Sequence, residues 1–169
     1  MPEFHLEDDY LISPGMPIDP IFFEKKIYTL ITIFGASNFL YNNFKEDNDY
    51  FFTRTKEFEK SEVSELLISI AVISRSYLDT NIVSNNFNKD FLVGKIIFNN
   101  TNKEKDLNFR DSCNKIIHAT NINFDINKGS NIKDGYIKPI VYLYGSHQEK
   151  KWKVIVNIID FCKAAINLF

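Results

Sequence analysis

The chain has 169 residues, with 20 Lys+Arg against 22 Asp+Glu and 44% hydrophobic residues. That is the length of one ordinary domain, and the composition excludes collagen-like, disulfide-framed and wholly disordered chains. A formal net charge of −2 excludes a broadly basic surface of the kind that meets nucleic acid or membrane, while leaving room for a local basic site.

Residues 1–169 read as a single domain. The stretch 1–18 holds Pro2, Pro14, Gly15 and Pro17 and no helical period, so it is expected to be an extended arm. Its acidic start lacks the basic, apolar pattern of a secretory signal, which predicts a cytoplasmic protein. Asp19 and Pro20 are suited to cap and open a helix, and Phe23, Ile27, Leu30, Ile31, Phe34 and Tyr41 continue it at helical spacing to about Phe44. The apolar run Ile27 to Phe34 is broken by Thr29 and Thr32 and is far shorter than the ~20 residues of a membrane span, so no membrane partner is expected. Lys45 to Asn48 break the helix with charge, and Tyr50 to Lys60 fits either a loop or a short helix.

Ser61 is the expected cap of a second helix, with Val63, Leu66, Leu67, Ile70, Ala71, Ser74, Tyr77 and Leu78 on one face and Arg75 on the other. From Thr80 to Lys105 the chain is rich in Asn, a turn former, and within it only Phe91 to Phe98 reads as ordered, as a strand or a helix. Asp106 is expected to open a third helix that ends near Thr120. Ile122 to Ile126 alternates like a half-buried strand, and Lys128 to Gly135 reads as a flexible tract. Ile137 to Tyr144 and Trp152 to Ile158 predict a hairpin joined by the polar stretch Gly145 to Lys150, and a last helix follows from Ile159 to Leu168. The expected fold class is therefore α+β: a bundle of about four helices with a small antiparallel β-hairpin inserted before the C-terminal helix. Of its 16 Phe, Phe22, Phe23, Phe34, Phe39 and Phe44 fall on the first helix, more rings than one stripe can bury. That helix is expected either at the centre of the bundle or with a partner on its outer side.

The third helix spaces Arg110, Asn114 and His118 by four residues, within an arc of about 80° beside its apolar stripe. A guanidinium, an amide and an imidazole aligned in this way can bind a phosphate and move a proton near neutral pH. Arg110 and His118 are about 12 Å apart along the axis, so a second copy of the helix, antiparallel across a twofold, is what would set one beside the other. The same row also has a structural reading. A His in a last turn is favoured by the helix dipole, Asn114 can bond the following loop, and Arg110 can pair with Asp111 or a neighbouring helix.

The residues Arg110-Asp111-Ser112-Cys113-Asn114-Lys115-Ile116-Ile117-His118 resemble the signature of the HEPN superfamily (higher eukaryotes and prokaryotes nucleotide-binding domains), an Arg followed by a polar residue and then a His on one helix. The resemblance implies a helical bundle, often a homodimer, acting as a metal-independent endoribonuclease of a defence or toxin–antitoxin system. It implies His118 as general acid or base, Arg110 as the group that stabilises the scissile phosphate, and Asn114 as the residue that orients His118. Neither cofactor nor metal enters that scheme. Lys115, Lys151 and Trp152 are candidate nucleic-acid contacts, the last two within a basic–aromatic cluster, Lys150 to Lys153, that also reads as a solvated loop with an anchoring ring. Against the RNA reading stands a non-catalytic interaction module, such as an antitoxin, immunity protein or accessory subunit, whose aromatic helix faces bind another protein. Cys113 and Cys162 read as buried free thiols.

Overall fold

The computed structural model describes residues 19–44, 49–80, 87–88, 90–98, 103–128, 135–148 and 150–169. The expected arm 1–18 and the break at Lys45 to Asn48 lie outside the described residues, as does most of the tract after Lys128. Four helices and five strands follow in the order α1 (Pro20–Phe44), α2 (Asp49–Asp79), β1 (Leu92–Phe98), β2 (Glu104–Asn108), α3 (Phe109–Ile117), β3 (Asn121–Lys128), β4 (Gly135–His147), β5 (Lys150–Asn157) and α4 (Ile158–Ile166). The α+β class is as expected, but a bundle with a small hairpin is not what forms. The strands build one antiparallel sheet of order β2-β1-β5-β4-β3, and the hairpin β4–β5 lies in the middle of it.

Local chemistry explains where three of the helices begin. Asp19 Oδ1 accepts the Ile21 N–H at 2.9 Å, which opens α1 where Pro20 has no N–H to leave unpaired. The segment that fitted a loop or a short helix, Tyr50 to Lys60, is part of α2. Ser61 is therefore an interior residue of that helix and not its cap. Asp106 is likewise a strand residue. The third helix is capped by Asn108, whose side-chain oxygen accepts from the Asp111 N–H at 2.8 Å, and it ends at Ile117 with His118 as C-cap. Asn157 caps α4 in the same way, so two asparagines turn strand directly into helix.

Side chains alternate across each strand, and the register sorts them onto two faces. Val141 pairs with Val156 and Leu143 with Val154, and all four are fully buried. Ile122 and Phe124 of β3 lie opposite Leu143 and Val141 on this side. Against it lie α1 on β4, α4 on β1 and α3 on β1 and β2, while α2 packs on α1 and α3. Phe23, Phe109 and Phe161 are fully buried in this layer, with Phe109 and Phe161 ring centroids 5.1 Å apart, while Phe22, Phe39, Phe51 and Phe58 stand exposed. On the other face Tyr142 pairs with Ile155 and Tyr144 with Lys153, and these four are only half-buried. Pro139, which cannot donate to a ladder, falls where the β3–β4 register shifts between Phe124 and Ile126. Gly94 is required where β1 crosses β5, since a Cβ there would collide with the Ile155 carbonyl. No helix among the described residues is long and apolar enough to cross a membrane.

Candidate functional site

The row on α3 is met by Arg75 and Asp79 of α2. Asp79 ends α2, where the negative end of the helix dipole disfavours a carboxylate. Two guanidinium groups compensate: Arg75, one turn earlier, forms an ion pair with Asp79 Oδ1, and Arg110 Nη2 reaches the same oxygen at 2.7 Å. Arg75 Nε also donates to Asn114 Oδ1 at 2.7 Å. Arg75, expected on the side of α2 away from the core, is thus half-buried in the α2–α3 seam.

Arg110 and Asn114 are therefore brought into one network, through α2. His118 is not joined to it by a side chain. Its backbone N–H donates to the Asn114 carbonyl at 3.1 Å, and its ring stands exposed one turn on. Asn114 accepts from Arg75 through its side-chain oxygen and from the His118 N–H through its backbone carbonyl. The pairing of Arg110 with a neighbouring helix, one of the structural alternatives, is realised through Asp79.

The three nucleic-acid candidates separate. Trp152 is 3% exposed, on the sealed face of β5, and Lys115 Nζ lies 4.4 Å from its ring centroid. A base has no free face of that indole on which to stack. Burial lowers the Lys115 pKa from the usual lysine value, with Asp111 pulling the other way. Gly145 is paired with Trp152 and has no side chain to hold the ring away. Lys151 is exposed on the opposite face, next to Lys153.

The remaining chemistry is confined. Cys113 and Cys162 are free and buried, as expected, and burial pushes both thiols up to about 12. Ser37 donates to Glu59 at 3.0 Å and accepts from the Ile137 N–H at 3.1 Å, a polar chain running from α2 through α1 to β4. Burial raises the Glu59 pKa, an effect opposed by the Ser37 bond and by Lys56 and Lys60. A groove of about 220 Å³ between α1 and α2 is lined by Tyr28, Thr32, Ile33, Ala36, Leu40 and Glu59, none of them from the α3 row. Among the described residues no cluster of His, Cys, Asp and Glu is placed to hold a metal.

Large apolar side chains also stand on the outer faces of α1 and α2. Ile21, Tyr28 and Phe39 are 75%, 71% and 62% exposed. At about 100° per residue they fall within roughly 20° of one another, opposite the buried stripe. Tyr50, Phe51, Phe58, Ile68 and Val72 are likewise exposed on the outer side of α2, and the Phe44 and Phe51 rings meet at 5.5 Å where the two helices adjoin.

The described residues thus define an α+β protein whose antiparallel sheet carries helices on one side, with a polar α2–α3 seam and an apolar outer helix surface. Comparison with family models, with curated proteins and with solved structures finds no match to this chain.

Proposed function

We propose that the chain is a non-catalytic protein-interaction module, of the antitoxin, immunity-protein or accessory-subunit kind, whose partner covers the outer faces of α1 and α2. The observation that carries this reading is the stripe of Ile21, Tyr28 and Phe39 on α1, facing solvent opposite a buried stripe that already seals the core. Exposed apolar patches of that kind mark protein contact sites. In this reading the protein works in the cytoplasm, in keeping with two thiols left unpaired. Crosslinking in extract of the native host is expected to recover one stoichiometric protein partner, which Tyr28→Glu with Phe39→Glu releases without changing the melting temperature. Sedimentation separates a homodimer from a complex with another protein. A monomer that recovers no partner overturns the reading.

A second reading, an HEPN-like RNA-directed protein acting as a metal-independent endoribonuclease, is favoured by the approach of Arg75, Arg110 and Asn114 across the α2–α3 seam. There Arg110 would stabilise charge on the scissile phosphate and the exposed His118 would act as general acid or base. Under it the protein cleaves RNA in EDTA, and His118→Ala abolishes cleavage with unfolding unchanged. The absence of cleavage, or equal cleavage by the variant, removes it.

A further inference from the structure

We propose that the sheet face on which none of the described helices packs, centred on Tyr142, Tyr144 and Lys153, binds single-stranded nucleic acid by base stacking. This inference rests neither on the helix-face partner nor on the ribonuclease reading. Tyr142 and Tyr144 are two residues apart on β4 and point to the same side. Their positions are about 7 Å apart at 3.4 Å per residue, so each ring offers a separate platform for one base. Both are half-buried and neither belongs to the core cluster. Lys153, opposite Tyr144, places its Nζ 4.7 Å from the Tyr142 ring and 5.9 Å from the Tyr144 ring. The ammonium rests over the Tyr142 ring, so a base stacking there displaces it toward the phosphate, while one on Tyr144 has it alongside.

The neighbouring strands supply the rest of the chemistry. On β3, Asn123 lies opposite Tyr142 and Asn121 opposite Tyr144, so amides that can bond base edges flank the rings. On the other side Lys151 and Lys153 of β5 share the face. Lys95 of β1 follows, paired with Glu104 at 2.9 Å, and the carboxylates Glu104 and Asp106 stand on the edge strand β2. Beyond the Tyr rows, near the register shift, Lys138 is 3.5 Å from Asp125. The face is thus polarised, with amides and rings at β3 and β4, lysines at β5 that meet no carboxylate among the described residues, Ile155 and Ile97 beside them, and acids at β2. A polyanion with unstacked bases is matched to the β3–β4–β5 half and repelled from the β2 edge. A second copy of the sheet is a poorer occupant, because a twofold through the centre would oppose Lys153 to Lys153.

Fluorescence anisotropy with labelled single strands of about 12 nucleotides, one RNA and one DNA, tests this on the full chain at low and moderate salt. Tyr142→Ala with Tyr144→Ala is expected to weaken binding about tenfold or more. Tyr142→Phe with Tyr144→Phe retains it, and Lys153→Ala flattens the salt dependence. Lys163→Ala, on α4 at the other side of the molecule, leaves the affinity unchanged. Thermal melts of each variant separate lost stacking from lost folding. Binding of one or both single strands with this pattern supports the proposal and names the sugar preferred. Absence of binding, equal binding to a duplex, indifference to the Tyr→Ala changes, or a dimer that the same changes dissolve would each overturn it.

Discussion

Strand β5 carries Val154 and Val156 toward the helices and Lys153 and Ile155 away from them, and the two sides of this one strand live in different environments. The valines have no exposed surface, and they meet Val141 and Leu143 across the pairing with β4. Lys153 and Ile155 meet tyrosines and remain half-buried. The difference lies in what each side is asked to do. The sealed side holds the fold and tolerates little change of volume, since buried interiors are packed as densely as organic crystals. The open side keeps only the energy of cross-strand neighbours and is free to carry rings and cations.

Neighbouring residues of β4 put this contrast to the test most directly. Leu143→Ala, on the sealed side, is expected to cost about 2–5 kcal/mol in chemical denaturation. Gly94→Ala places a Cβ against the Ile155 carbonyl and is expected to cost about 1–3 kcal/mol, because it forces β1 and β5 apart. Tyr142→Ala, one residue from Leu143 but on the open side, should cost only about 0.2–1 kcal/mol. A loss as large as that of Leu143→Ala would mean that something covers the open side.

Two carboxylates carry the same contrast into the helix layer. Asp79 is half exposed at the end of α2, so Asp79→Ala should lower stability by less than about 1 kcal/mol even though it unties both Arg75 and Arg110. Glu59 is buried, and burial raises its pKa in the folded protein. The protonated carboxyl is then favoured by folding. Its contribution is fully present below the unfolded value of about 4.3 and is lost as pH rises through the folded value. Glu59→Gln, which keeps an acceptor for Ser37, is expected to remove this part of the pH dependence and to raise the melting temperature slightly at neutral pH relative to the unaltered chain. A pH profile identical to that of the parent would show that Glu59 is solvated.

Helix α1 was legible because its cap, its Pro and its buried positions are all local: Phe23, Ile27, Leu30, Phe34 and Tyr41 are the residues that turn inward. The β4–β5 pair was legible from its β-branched and aromatic residues. What could not be read was the company this pair keeps. In β2 only Leu107 is buried, so the segment Glu104–Asn108 shows no alternation and looked like the approach to a helix. The first turns of α2 present Tyr50, Phe51 and Phe58 outward and Glu59 inward, which inverts the usual hydrophobic pattern. At the seam Arg110 and Asn114 stood out, but their partners Asp79 and Arg75 are 31 and 39 residues away in sequence. Their own spacing of four at the end of α2 was the available signal. The direction of Trp152 was also within reach: it shares parity with Val154 and Val156, which puts it on the sealed side, and leaves the open side to Lys151 and Lys153.

The strand order carries a consequence for how the chain assembles. β1 pairs with β2, and β3 with β4, through segments that lie close together in sequence, so each hairpin can form as soon as its residues are available. No strand pairing joins the two until β5 arrives between β1 and β4, and β5 begins only at Lys150. During synthesis the edges of β1 and β4 therefore wait unpaired, at the stage when exposed edges invite aggregation. Closure is a late, long-range event, of the kind that slows folding, and it takes the form of a central strand inserted into a gap prepared for it.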